Sequence, residues 1–159
     1  MARFSVRHLT SSIYGTVLTI ALITAYSADD ELDPLLIAAG VVDTTAVFWL
    51  AHAQAELLAR RYFAGRALGR DEIEEQLREG WPMVEASFPC ALALAAGGIG
   101  VLDEDASIYV ALGIGVLELA GWGIAIGQRE QLGLVRVVAL TSLNVALGLA
   151  VVVLKLVIH

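Results

Sequence analysis

The chain has 159 residues, 58% of them apolar and 17% charged, with a mean hydropathy of +0.74. A soluble domain is nearer half apolar and a quarter charged, so this excess has to be buried in a bilayer as well as in a core. Seventeen acids against ten bases, a net charge of −7, exclude the basic face of a nucleic-acid-binding protein, and one cysteine, Cys90, excludes an internal disulfide framework.

Crossing roughly 30 Å of hydrocarbon takes about 20 apolar residues in a helix, and such segments follow one another along the chain. The spacing predicts spans over 9–28, 34–58, 82–102, 106–128 and 131–155, interrupted in the second by Asp43 and His52, in the fourth by Glu118 and in the fifth by Arg136. The continuous apolar runs lack the in/out alternation of barrel strands. The fold class expected is therefore all-α, a single integral membrane bundle of five transmembrane helices. Arg3 and Arg7 before an apolar run also sketch a secretory signal. The length of the charge-free stretch and Tyr26 in the would-be cleavage region favour a retained first span.

Between the second and third spans lies the one substantial polar segment. Asp71 and Glu74 suggest a capping box, Ile73 and Leu77 repeat at i and i+4, and Gly80 is a stop, so a short cytoplasmic amphipathic helix is predicted over 71–80. Trp81 at the interface and Pro82 then start the third span. The acids of this segment read as a solvated face.

Basic residues collect on the cytoplasmic side of membranes. Arg3, Arg7, Arg60, Arg61, Arg66, Arg70, Arg78, Arg129 and Arg136 occupy one side, while Asp29, Asp30, Glu31, Asp33, Asp103, Glu104 and Asp105 occupy the other, with Lys155 its single base. This places the N-terminus in the cytoplasm and the C-terminus outside the inner (plasma) membrane.

Ionisable groups at membrane depth are functional candidates by default. Thr45, Trp49, His52 and Glu56 share one face of the second helix and Asp43 and Gln54 the opposite one, so this helix should be central, or should touch both its own bundle and a neighbouring subunit. His52 and Glu56 can pair at i,i+4, and His52 and Glu118 lie roughly 10 to 14 Å inside the cytoplasmic boundary at 1.5 Å per residue. With Glu85 and Arg136 these residues form one predicted polar layer, to which Asp43 and Lys155 add the external half. For Glu118 two readings stand: a structural pair with Arg136, or a protonatable ligand in a conduction path. Ser12, Gly15, Thr16, Thr19 and Tyr26 form a hydroxyl stripe on the first helix, best read as packing; Thr141, Asn144 and Gly148 repeat it weakly on the fifth. The glycines from Gly97 to Gly127, including the GxxxG pair Gly123 and Gly127, imply close packing of the third to fifth helices.

No HExxH, GxSxG, Walker loop or CxxC is present, so no enzyme and no cofactor are expected. His52 with Glu56 falls short of the four ligands of a zinc site, and the metal question stays open. The segments IYGTVLTIA (13–21), VFWLAHAQAELL (47–58), GWPMVEASFPC (80–90) and LKLVIH (154–159) resemble a family of small multi-pass membrane proteins from actinobacteria, a resemblance that carries no functional residue with it. The topology also resembles vacuolar iron transporters, with five spans, an internal N-terminus and a helical insert after span two. Here the insert is far shorter, and the first span lacks the membrane-embedded acid. The function expected is a small transporter or channel for protons or cations, with His52 and Glu56 as gate or relay and Glu118 as the deeper site, in a homodimer or higher homo-oligomer. The alternative is a non-catalytic membrane assembly factor or accessory interaction protein.

Overall fold

A computed structural model describes residues 6–29, 31–129 and 133–158. Arg3, Asp30, Gln131 and His159 lie outside the described residues, as do the side chains of Arg129, Asn144 and Lys155. Every regular element among the described residues is helical: α1 (Val6–Tyr26), α2 (Pro34–Ala64), α3 (Arg70–Gly80), α4 (Pro82–Glu85), α5 (Phe88–Gly98), α6 (Glu104–Arg129) and α7 (Leu134–Ile158). Three helices, α1, α2 and α6 as far as Gln128, are long and apolar enough to cross a membrane.

The helix ends follow local chemistry. The Asp33 carboxylate accepts from the backbone N–H groups of Leu35 at 2.8 Å and Leu36 at 3.0 Å, with Pro34 at a position where a missing N–H costs nothing. α2 stops at Gly65, whose φ of 62° is left-handed and whose N–H returns to the Arg61 carbonyl at 3.2 Å. Its 31 residues run past the predicted end at 58, because nothing between Leu58 and Gly65 breaks a helix.

The start of α3 corrects the capping box read at Asp71 and Glu74. The cap is Gly69, which has no side chain to offer, and Glu72 accepts its N–H at 2.8 Å. Glu72 also receives both terminal nitrogens of Arg66, at 2.9 and 2.8 Å. The capping carboxylate is therefore Glu72, two residues before the predicted Glu74. The far end of α3 is seated by Trp49 of α2, whose indole N–H donates to the Leu77 carbonyl at 3.0 Å while its ring meets Trp81 edge-on at 5.1 Å.

The predicted third span, 82–102, is broken in two, α4 and α5. Pro89 has no N–H for the Glu85 carbonyl and its ring crowds that carbonyl, so the helical ladder lapses over Ala86 and Ser87, which keep right-handed helical angles (φ −64°, ψ −18° and φ −83°, ψ −21°). The chain turns through Ala86 and the fully buried Ser87, whose hydroxyl donates to the Val84 carbonyl at 2.7 Å. α5 has 11 residues, about 16 Å of rise, half the thickness of a bilayer's hydrocarbon. It ends in a turn at Gly100, φ 76°.

α1 packs against α2, α3, α4, α6 and α7. α2 meets as many, packing against α1, α3, α4, α5 and α6, which agrees with the expectation that it is central. The small side chains Ser11, Ser12, Gly15, Thr16 and Thr19 are all buried on α1 and let other backbones approach it, whereas α2 turns Leu36, Val47, Leu50 and Leu58 outwards. The hydroxyl stripe packs as anticipated: Ser12 and Thr16 donate back to the carbonyls of His8 and Ser12. The glycine seam works partly differently. Gly123 and Gly127 lie against Thr141 and Val137 of α7, but Gly98 lies against Leu35 of α2 and Gly115 against Ile20 of α1, while Gly113 and Gly121 touch nothing. The core gathers Ile23, Ile37, Val41, Cys90, Leu94 and Ala111 from α1, α2, α5 and α6. Outside it the surface stays apolar, with Leu92 and Leu117 each 71% and Val135 82% exposed.

Candidate functional site

The predicted polar layer is divided by α1 into two clefts. The first, about 110 Å³, lies between α1, α2 and α3 and is lined by Arg7, Thr10, His52, Glu56, Gln76 and Glu79 among others. One terminal nitrogen of Arg7 reaches three acceptors: Gln76 Oε1 at 2.7 Å, Glu56 Oε2 at 3.1 Å and Glu79 Oε2 at 3.2 Å. The Gln76 amide in turn donates to Glu56 Oε2. Gln76 is 2% exposed, and its amide, a donor and an acceptor at once, satisfies both ions.

This replaces the expected pairing of His52 with Glu56. His52 lines the same cleft, but Glu56 is bonded to Arg7 and Gln76, and His52 is exposed. A guanidinium is always charged and presents several donors at fixed geometry, so it outcompetes an imidazole one turn away on the same helix. Arg7 read as a topology signal in the sequence. Its partners lie 49, 69 and 72 residues on, beyond any local pattern.

The second cleft, about 430 Å³, opens on the other side of α1. Glu85 and Ala86, at the break between α4 and α5, form one wall, and Glu118 and Trp122 of α6 another, with His8 and Ser12 of α1 between them. Glu118 is half-buried, and its Oε2 lies 3.2 Å from the hydroxyl of the fully buried Thr16. The same hydroxyl lies 3.1 Å from the Ser12 carbonyl. A threonine hydroxyl has one proton to donate. With Glu118 ionised, that proton serves the carboxylate; with Glu118 protonated, the acid donates to Thr16, which turns its own proton to Ser12. Both protonation states are thus hydrogen-bonded without moving a helix.

Arg136 does not join Glu118. It is exposed near the start of α7, and among the described residues the ion pairs are those of Arg7 with Glu56 and Glu79 and of Arg66 with Glu72. Asp43 lines neither cleft and is exposed on α2, whereas Gln54, also exposed, lines a groove between α2 and α3 with Ile73 and Leu77. Among the described residues no group of three or more His, Cys, Asp or Glu side chains is placed to hold a metal ion. Outside the spans, the Arg66 guanidinium and then the Gly69 N–H hold the Glu72 carboxyl down at about 2, and Glu72 raises Arg66 in return. Comparison with protein-family profiles, curated proteins and solved structures found no match to this chain.

Proposed function

We propose that this protein is a small membrane transporter or channel for protons or cations, built on five spans, with α4 and α5 together as the third and α3 as the cytoplasmic amphipathic helix. The observation that carries the reading is that Glu118 and the helix break at Glu85 and Ala86 line one cleft. Irregular backbone at membrane depth is tolerated where it is buried or borders a wet cavity, and discontinuous helices form the binding sites of many transporters. Thr16 gives the carboxyl a partner in either protonation state, which is what a site that gains and loses a cation needs. In this reading Arg7, Glu56 and Gln76 are the cytoplasmic gate, with His52 at its edge, since opening the first cleft means breaking their contacts. The exposed Asp43 on α2 favours a homodimer interface there, because a carboxylate facing lipid is costly.

The test is flux in proteoliposomes under imposed proton, sodium and potassium gradients. Wild type is expected to pass at least one of these ions, and Glu118→Gln, with the bundle still folded, to lose that flux. No flux under any gradient refutes the proposal and leaves the accessory interaction protein standing. The orientation is tested separately: a reporter inserted at Gly69 is expected in the cytoplasm and one at Gly100 outside.

A further inference from the structure

We infer that the second cleft is a binding site for a monovalent organic cation, an ammonium group carrying apolar substituents. The inference rests on the transport reading and names its substrate class. Its volume, about 430 Å³, lies within the roughly 300–1,000 Å³ of small-molecule sites, far more than a bare ion fills. Pro82, Ala86, Gly121 and Ala125 give it apolar walls, and Glu85 and Glu118 are two carboxylates that form no ion pair among the described residues.

The charges select the ligand. An anion is repelled by both carboxylates. A divalent metal needs about six converging oxygens, and no such set exists among the described residues. A proton exchanges at Glu118 without filling the cleft, and a bare sodium or potassium ion leaves most of its volume empty. An alkylammonium instead puts its charge near Glu118 and its carbon on those walls, and the indole of Trp122 supplies the aromatic group that attracts quaternary ammonium ions. Arg7 is bound to Glu56, Gln76 and Glu79 in the other cleft, so its charge is not spent here.

Protons compete with the cation for Glu118. The titratable groups around it are His8 on α1, Glu85 on α4 and the Cys90 thiol on α5; α7 contributes no residue to the described lining. With the cation bound, Glu118 stays ionised and Thr16 donates to it.

The experiment is equilibrium dialysis of radiolabelled benzyltrimethylammonium against the purified full chain in nanodiscs, between pH 5 and pH 8. Saturable binding is expected, weakening as pH falls. Glu118→Gln should reduce affinity at least tenfold and remove most of the pH dependence; Glu85→Gln, on the exposed rim and therefore safe for folding, should reduce it about threefold; Asp43→Asn, outside the cleft, should leave it unchanged. Non-saturable binding, binding indifferent to pH, or full affinity in both glutamine variants overturns the inference. Ion flux without benzyltrimethylammonium binding refutes this site and leaves transport standing, whereas saturable binding without flux does the reverse.

Discussion

Replacing Gly15 with alanine tests the contact that holds α1 against α4. A Cβ at Gly15 would stand 2.8 Å from Met83 Cα, against the backbone of α4. Carbon atoms rest at about 3.5–4.0 Å, so the two elements must part by roughly 1 Å, and no rotamer change relieves a clash with main chain. Overpacking of this kind costs about 1–3 kcal/mol, against which alanine gains up to about 1 kcal/mol in helix propensity. Gly113 on α6 is the internal control, because a Cβ there meets nothing within 4 Å and only the propensity gain applies. Gly15→Ala should therefore fall about 1–3 kcal/mol below Gly113→Ala, roughly a 5- to 150-fold difference in the folded-to-unfolded ratio. Reversible unfolding in mixed micelles, followed by circular dichroism, measures this. If Gly15→Ala is as stable as Gly113→Ala, α1 and α4 do not meet at this point, and the placement of Thr16 beside Glu118 fails with them.

Three further outcomes are expected. In a double-mutant cycle of Glu118→Gln and Arg136→Gln, the losses in melting stability should add to within about 0.5 kcal/mol, because Arg136 is exposed and Glu118 bonds to Thr16; a larger coupling would restore the ion pair. Trp49→Phe should cost about 1 kcal/mol through loss of the indole bond to the Leu77 carbonyl, and should free α3 to faster amide exchange; unchanged exchange would mean the tryptophan does not seat that helix. The Glu72 carboxyl is held down at about 2 from an ordinary 4.5, so its contribution is complete above the ordinary value and is lost as pH falls through the lowered one. The Gly69 amide shift, read by NMR, should titrate near pH 2 in wild type and nearer 4.5 in Arg66→Gln; identical midpoints would remove Arg66 as the main cause.

Helical class, the long apolar helices and some helix ends were legible along the chain because each depends on neighbouring residues. Asp33 with Pro34 starts α2, and Gly80 marks the end of α3 wherever the rest of the molecule lies. Pro89 carried a local signal for the break between α4 and α5, obscured by the continuous hydropathy around it. The partners of the polar side chains were another matter. Hydropathy gives the depth of Glu56 or Glu118, but whom each meets depends on how the helices rotate and cross, and those angles are set by close approaches such as Gly15 on Met83 and Gly98 on Leu35. Tertiary packing alone therefore gave Glu56 to Arg7 rather than to His52, and gave Glu118 to a hydroxyl 102 residues away rather than to Arg136. A helix's own sequence specifies its polar face; the helices packed against it specify what that face can bind.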